Sequence, residues 1–177
     1  MERRVKYSKI TLILFLFFFI WIILQFLAPF FLPENSVTDL SGLVGVSDND
    51  FQISNMSFPW NVIYRAGDGL CHQIAERSFV LNGNQMPFCS RCTAIWLGLA
   101  IGLGFMVFYR INLDEKFIFV ILITIAPMGI DGVGQLLHFW ESSNIIRVTT
   151  GLLAGGLCGI VIAIIIDEAK ELKKVKI

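Results

Sequence analysis

The sequence predicts an all-α integral membrane protein, a bundle of four transmembrane helices with an extracytoplasmic cysteine-containing loop. Three observations predict it. Of the 177 residues 55% are hydrophobic and only 16% are charged, against roughly a quarter charged in a soluble domain. The apolar residues are gathered into four runs, each long enough at about 17–23 residues to cross roughly 30 Å of hydrocarbon as a helix. Lysine and arginine segregate to the ends of those runs in a way that fixes one orientation.

The first run spans Ile10 to Leu32 and includes the phenylalanine-rich FLFFFIWIILQFL. It exceeds the 7–15 residues or so of a secretory h-region and no A-x-A cleavage signal follows, so it reads as a retained helix closing a first segment, 1–32. The second run is Thr93 to Tyr109, the third Phe117 to about Phe139, and the fourth Ile145 to Ile166. Together these make a segment 93–166, followed by a basic tail, 167–177. With both termini in the cytoplasm, ten cations lie inside (Arg3, Arg4, Lys6, Lys9, Arg110, Lys116, Lys170, Lys173, Lys174, Lys176) and four outside (Arg65, Arg77, Arg91, Arg147). The bias assigns the chain to the cell membrane as a multi-pass protein in contact with the lipid bilayer. The outer cations are all arginine, whose rigid fork grips carboxylate or phosphate bidentately. The formal net charge is zero and no basic stripe with interleaved aromatics occurs, so no nucleic-acid partner is expected.

The outer loop then runs from residue 33 to 92. Its first half, PENSVTDLSGLVGVSDND, reads as a flexible polar segment. Asn55-Met56-Ser57 fits a short glycosylation acceptor pattern. Pro59 and the WNVIYRAGDGL stretch after it predict a short helix at the membrane surface. Next come Cys71-His72 and, further on, the Cys89-Ser90-Arg91-Cys92 knuckle.

Cys71, His72, Cys89 and Cys92 supply donors that suit tetrahedral zinc. Adjacent residues tend to point apart, so Cys71 and His72 share one ion only across a turn. His138, at the end of the third span, is the alternative fourth ligand. Outside the cytoplasm thiols also pair as disulfides, and a C-x-x-C at a helix N-terminus is a favoured place for redox thiols. Membrane thiol oxidases coupled to quinone carry one at a similar place, together with a second cysteine pair. Cys71 lacks such a partner, and Cys158 falls in the middle of the fourth span. Metal site, redox pair and structural disulfide all stay open at this point, with the metal site first.

In the third span Asp131, Gln135 and His138 lie at i, i+4 and i+7, on one predicted face. An ionisable residue at that depth suggests function; Asp131 is a candidate general base or orienter of a ligand histidine. Pro127 with Gly129, Gly132 and Gly134 is expected to loosen the helix and let a ligand or backbone approach. Ser142, Ser143 or Asn144 can cap the fourth helix. Arg147 is placed to meet Asp131 or Glu141, or an anionic headgroup. Asp131, Gln135 and Arg147 are thus the catalytic candidates, and Arg77, Arg91, Arg147 and Thr150 the candidates for binding an anionic lipid or phosphate-bearing ligand. Gly151, Gly155, Gly159 and Ala163 form a ladder at spacing four on the fourth span, as Ala94, Gly98 and Gly102 do on the second, which predicts close packing of the two. The first span lacks one and is expected at the rim.

The run CHQIAERSF, a spacer with Gln85 and Pro87, CSRCTAIWLG, DGVGQ and the SSN-x-x-R-x-x-T-G stretch together resemble a family of small predicted membrane proteins catalogued as domain of unknown function 2085. The resemblance covers about residues 70–155. Where the family form carries a glycine after the second knuckle cysteine and a proline before the glutamate, this chain has Thr93 and Ala75. The resemblance implies a membrane setting and no particular reaction. Three function classes follow from the residues: a zinc-bearing protein, plausibly an enzyme on a lipid-linked or headgroup substrate; a thiol–disulfide oxidoreductase using Cys89 and Cys92; and a non-enzymatic binding or assembly protein.

Overall fold

The structure, a computed structural model, describes residues 8–111 and 114–175. The predicted cytoplasmic cations Arg3, Arg4, Lys6 and Lys176 lie outside that range. The described residues form six α-helices and one hairpin: α1 (Lys9–Phe31), α2 (Asp50–Ser54), α3 (Trp60–Leu70), a 3-10 turn (Ala75–Arg77), β1 (Ser78–Leu81), β2 (Asn84–Cys89), α4 (Ser90–Phe108), α5 (Glu115–Leu136) and α6 (Asn144–Val175). Four of them, α1, α4, α5 and α6, are long and apolar enough to cross a membrane.

Helices α4 and α6 form the centre of the bundle. Their small-residue ladders meet backbone to backbone. A methyl on Gly159 would stand 2.5 Å from the carbonyl oxygen of Leu99, and one on Gly98 would stand 2.7 Å from the amide nitrogen of Gly156. Without water to expel between lipid-bathed helices, this close van der Waals approach is the main attraction. Helix α1 packs on α4 through Phe15, Phe18 and Trp21, with Phe18 and Trp96 stacked at 5.7 Å between centroids. Its other face carries Phe17, Phe19, Phe26 and Phe30, all exposed, as the rim position predicts. Helix α5 buries only Phe117, Asp131 and Gly134.

Several boundaries differ from expectation, each for a local reason. Helix α4 starts at Ser90 rather than Thr93, with Cys89 in extended conformation at the N-cap position, so Arg91 and Cys92 belong to a helical turn. Helix α6 continues through the polar DEAKELKKV to Val175, where the sequence suggested a separate tail; those residues are good helix formers. Asp167 there lies near Arg110 and Lys170, at 3.8 and 3.9 Å.

The α1–α4 connection forms a folded cap over one end of the bundle. Its first half is not a loose polar segment: Val37 and Leu40 are fully buried beside Ala28, Ile53 and Tyr64. Two side chains of β2 hold it. The Asn84 carbonyl oxygen accepts from the amides of Ser36 and Val37, each at 2.9 Å, and its NH2 donates to the carbonyls of Pro29 and Pro33 at 2.8 and 3.0 Å. Gln85 accepts from Leu40 N at 3.0 Å and donates to Gln73 O at 2.6 Å. The hairpin turns at Asn82-Gly83, both with positive φ (52° and 69°), the conformation an Asn-Gly pair adopts with least strain.

Candidate metal and anion site

The cap and the bundle meet at three sulfurs. Cys71 lies just past the end of α3, Cys89 at the end of β2 and Cys92 in the first turn of α4. All three thiols are free, and their ligand atoms lie within 4.8 Å of one another. The group can hold a metal ion. Residues far apart in sequence are fixed there by packing: Phe88, beside Cys89, sits edge-on to both Trp21 and Trp96 at 6.1–6.2 Å.

Cys71 is buried, 2% exposed. Its sulfur accepts backbone N–H from Cys89 at 3.4 Å and from Gln73 at 3.5 Å, contacts that favour a thiolate. Gln73 reaches its position through a left-handed backbone (φ 45°), and its NH2 donates to the carbonyl of Pro87 at 2.8 Å. The thiols of Cys71 first and Cys92 second push the Cys89 thiol far below its ordinary value, against its burial. The same contact with Cys89 raises Cys71.

Neither histidine belongs to the group of donors. His72 is exposed and lines an adjoining cavity. His138 lies beyond α5. The helix ends at Leu136 rather than near Phe139 because His138 takes a left-handed conformation (φ 57°), with Phe139 N bonded to Gly134 O at 2.9 Å and His138 N to Gln135 O at 3.1 Å. This paired closure is the Schellman arrangement, with histidine where glycine is usual. It takes His138 off the face of Asp131 and Gln135, which the i+7 spacing had predicted.

A cavity of about 220 Å³ adjoins the sulfurs, lined by His72, Ile74, Arg77, Cys89, Arg91, Cys92, Gln135 and Arg147. Three arginines proposed from sequence as anion binders therefore face one space. Arg147 is 6% exposed, and its guanidinium donates to Gln135 Oε1 at 3.1 Å and Asn144 Oδ1 at 3.4 Å. Asn144 also accepts from Ser90 Oγ at 2.9 Å, joining the first turns of α4 and α6. Thr150 is not part of the lining: its hydroxyl donates to Ile146 O at 2.8 Å within its own helix.

Asp131 pairs with Arg91, whereas the sequence suggested that Arg147 would meet Asp131 or Glu141. Arg91, in the first turn of α4, reaches the carboxylate from the neighbouring helix. The carboxylate is 5% exposed and accepts from three donors: Arg91, Gln135 Nε2 at 3.0 Å and Trp140 Nε1 at 3.3 Å. Trp140 folds back over Gly134, whose missing side chain leaves room for the indole. The other two glycines, Gly129 and Gly132, face open space, and α5 runs unbroken through Pro127. With its lone pairs engaged, Asp131 is arranged to position Arg91. Asp131→Asn should leave that arginine without a buried counter-charge and destabilise the protein by about 3 kcal/mol, while metal content stays unchanged. Thermal unfolding in detergent and zinc analysis of the same sample measure both; parental stability would refute the positioning role.

Two features of the site escaped the sequence reading. The hairpin was signalled by Asn82-Gly83 between apolar strands. The roles of Asn84 and Gln73 had no signal, because each depends on carbonyls and amides distant in the chain.

The sequence profile of the family described as a predicted membrane protein (domain of unknown function 2085) matches residues 71–167, which include every residue of the cluster and cavity. An uncharacterised protein of Methanocaldococcus jannaschii is 33% identical over 153 residues, 85% of this chain and 86% of its own. An uncharacterised protein of Methanothermobacter thermautotrophicus is 36% identical over 86 residues, 49% of this chain and 78% of its own. No solved structure matches.

Proposed function

The chain belongs to the predicted membrane protein family of domain of unknown function 2085, and from that premise we propose that it is a zinc-bearing membrane protein whose metal centre opens onto an anion-binding cavity. In this reading both termini are cytoplasmic and the cap faces outward, which is where the lysine and arginine bias puts it.

The observation that carries the proposal is the shared lining. Cys89 and Cys92 border the same cavity as Arg77, Arg91 and Arg147, while Cys71 lies behind them. Three thiolates suit zinc over harder ions. No fourth protein donor joins the group among the described residues, so the remaining position of a tetrahedral ion is available to water, to His72 or to a ligand. Bound there, zinc would act as a Lewis acid toward an anionic group held by the arginines. Arg77 and Arg147 would bind and orient that group, and Asp131, with Gln135 and Trp140, would hold Arg91 beside the sulfurs. An activity on a lipid-linked or anionic headgroup substrate is consistent with this arrangement.

Elemental analysis of the purified protein, with a thiol count after denaturation in chelator, tests the metal centre. About one zinc per chain and all four cysteines titrating as free thiols is the expected result. Retention should fall as pH is lowered, because the metal must displace protons from the sulfurs. No metal and two thiols missing would instead point to a disulfide, catalytic or structural, and reversible reduction and reoxidation would then separate the two.

A further inference from the structure

We propose that the cavity takes the phosphodiester headgroup of a membrane lipid, which enters from the bilayer at the turn between α5 and α6. The proposal rests on the anion-binding reading above and narrows it to one chemical class and one route.

Charge selects the class. The lining contains three guanidiniums and no carboxylate. Asp131 is ion-paired directly with Arg91 and acts on Arg147 only through space. Arg147 is almost wholly buried, yet its bonds go to two amide oxygens, which are neutral. A buried guanidinium without a counter-ion is costly, and a ligand that supplied one would be bound at the place of greatest need. A divalent ion on three thiolates carries one formal negative charge and offsets a second arginine. About one positive charge is then left. A phosphodiester is a monoanion, whereas a phosphomonoester carries about −1.5 to −2 near neutrality. The first turns of α4 and α6 both contribute to the lining through Arg91 and Arg147, so two helix N-termini add positive potential there.

Size and surroundings select the route. A cavity of about 220 Å³ is below the 300–1,000 Å³ or so of sites that enclose a drug-sized ligand. It admits a phosphate with its glycerol but no acyl chain. The turns that supply Gln135 and Arg147 also carry Leu136 and Ile145, which are 77% and 79% exposed, with Phe139 and Ile146 exposed beside them. Chains of a bound lipid would lie on this apolar rim while the headgroup sits inside.

Native mass spectrometry of the zinc-loaded protein in detergent, with phosphatidylglycerol, phosphatidylcholine or inorganic phosphate added, tests the proposal. Phosphatidylglycerol should be retained about tenfold more strongly than the zwitterionic phosphatidylcholine, and millimolar inorganic phosphate should not displace it. Arg147→Gln should reduce retention about tenfold. Arg77→Gln, at the half-buried edge of the cavity, should do the same without endangering the fold. Displacement by inorganic phosphate at equal concentration would overturn the lipid proposal and leave the anion-binding reading in place. Equal retention of both lipids, unaltered by either arginine variant, would overturn both. Zinc content, measured separately, scores the metal centre whichever result is found.

Discussion

Replacing Cys71 with serine is expected to lower zinc content from about one per chain to less than roughly a tenth of that, while the four long helices stay folded. Cys71 is the most buried of the three cysteines, and its sulfur receives backbone N–H groups from Gln73 and Cys89. A serine hydroxyl there is a far poorer ligand for zinc and leaves only two thiolates. A metal held there would contribute to the folding of the cap, since the three cysteines join the end of α3, the end of β2 and the start of α4. Proteolysis between residues 33 and 92 should therefore accelerate. Far-UV circular dichroism should change little, because the contacts of α4 with α6 do not involve the sulfurs. Cys158→Ser is the control: this thiol is exposed on α6, so metal and protease resistance should both be retained. Full zinc occupancy in Cys71→Ser would refute the three-thiolate centre.

Gly155→Leu is expected to have the largest effect on the bundle itself. A Cβ on Gly155 would fall 2.9 Å from the Cα of Ile95 and closer still to that residue's carbonyl oxygen. The obstruction is backbone, which cannot rotate away, so the helices must part. Overpacking of a core side chain costs typically about 1–3 kcal/mol; separation of α4 from α6 along the ladder should reach or exceed the upper figure. Loss of a monodisperse species in detergent and a lowered unfolding temperature are the readouts. The site should suffer too, because Gly151, one turn earlier, lies against the carbonyl of Arg91, with a built Cβ at 2.7 Å. Spreading the helices thus separates Arg91 from Arg147 and should weaken retention of anionic lipid. Gly129→Leu, on an open face of α5, should leave stability and binding at parental values. A Gly155→Leu protein as stable as the parent would show that the ladder does not set the helix spacing.

Chain composition and spacing by themselves determined much of this. Four apolar runs dictated four helices, since backbone groups in hydrocarbon must be satisfied within each segment. Small residues every fourth position dictated which two helices meet, because that spacing repeats on one helical face. The grouping of Cys71 with Cys89 and Cys92 was legible from residue type and spacing. Tertiary structure decided the rest. Whether His72 or His138 reaches the sulfurs depended on a turn at Gln73 and on a helix end at Leu136. Both are set by hydrogen bonds to partners that periodicity does not reveal. The partner of Asp131 was settled by the packing of three helices, which brings Arg91 of α4 rather than Arg147 of α6 to the carboxylate. The buried course of residues 33–50 was likewise invisible, because its polar composition reads as loop until Asn84 and Gln85, almost fifty residues later, supply the hydrogen bonds that permit its burial. Local patterns record what each helix or strand needs from its own solvent. Ligand sets and ion pairs record which distant surfaces come into contact, and that is a property of the packed chain.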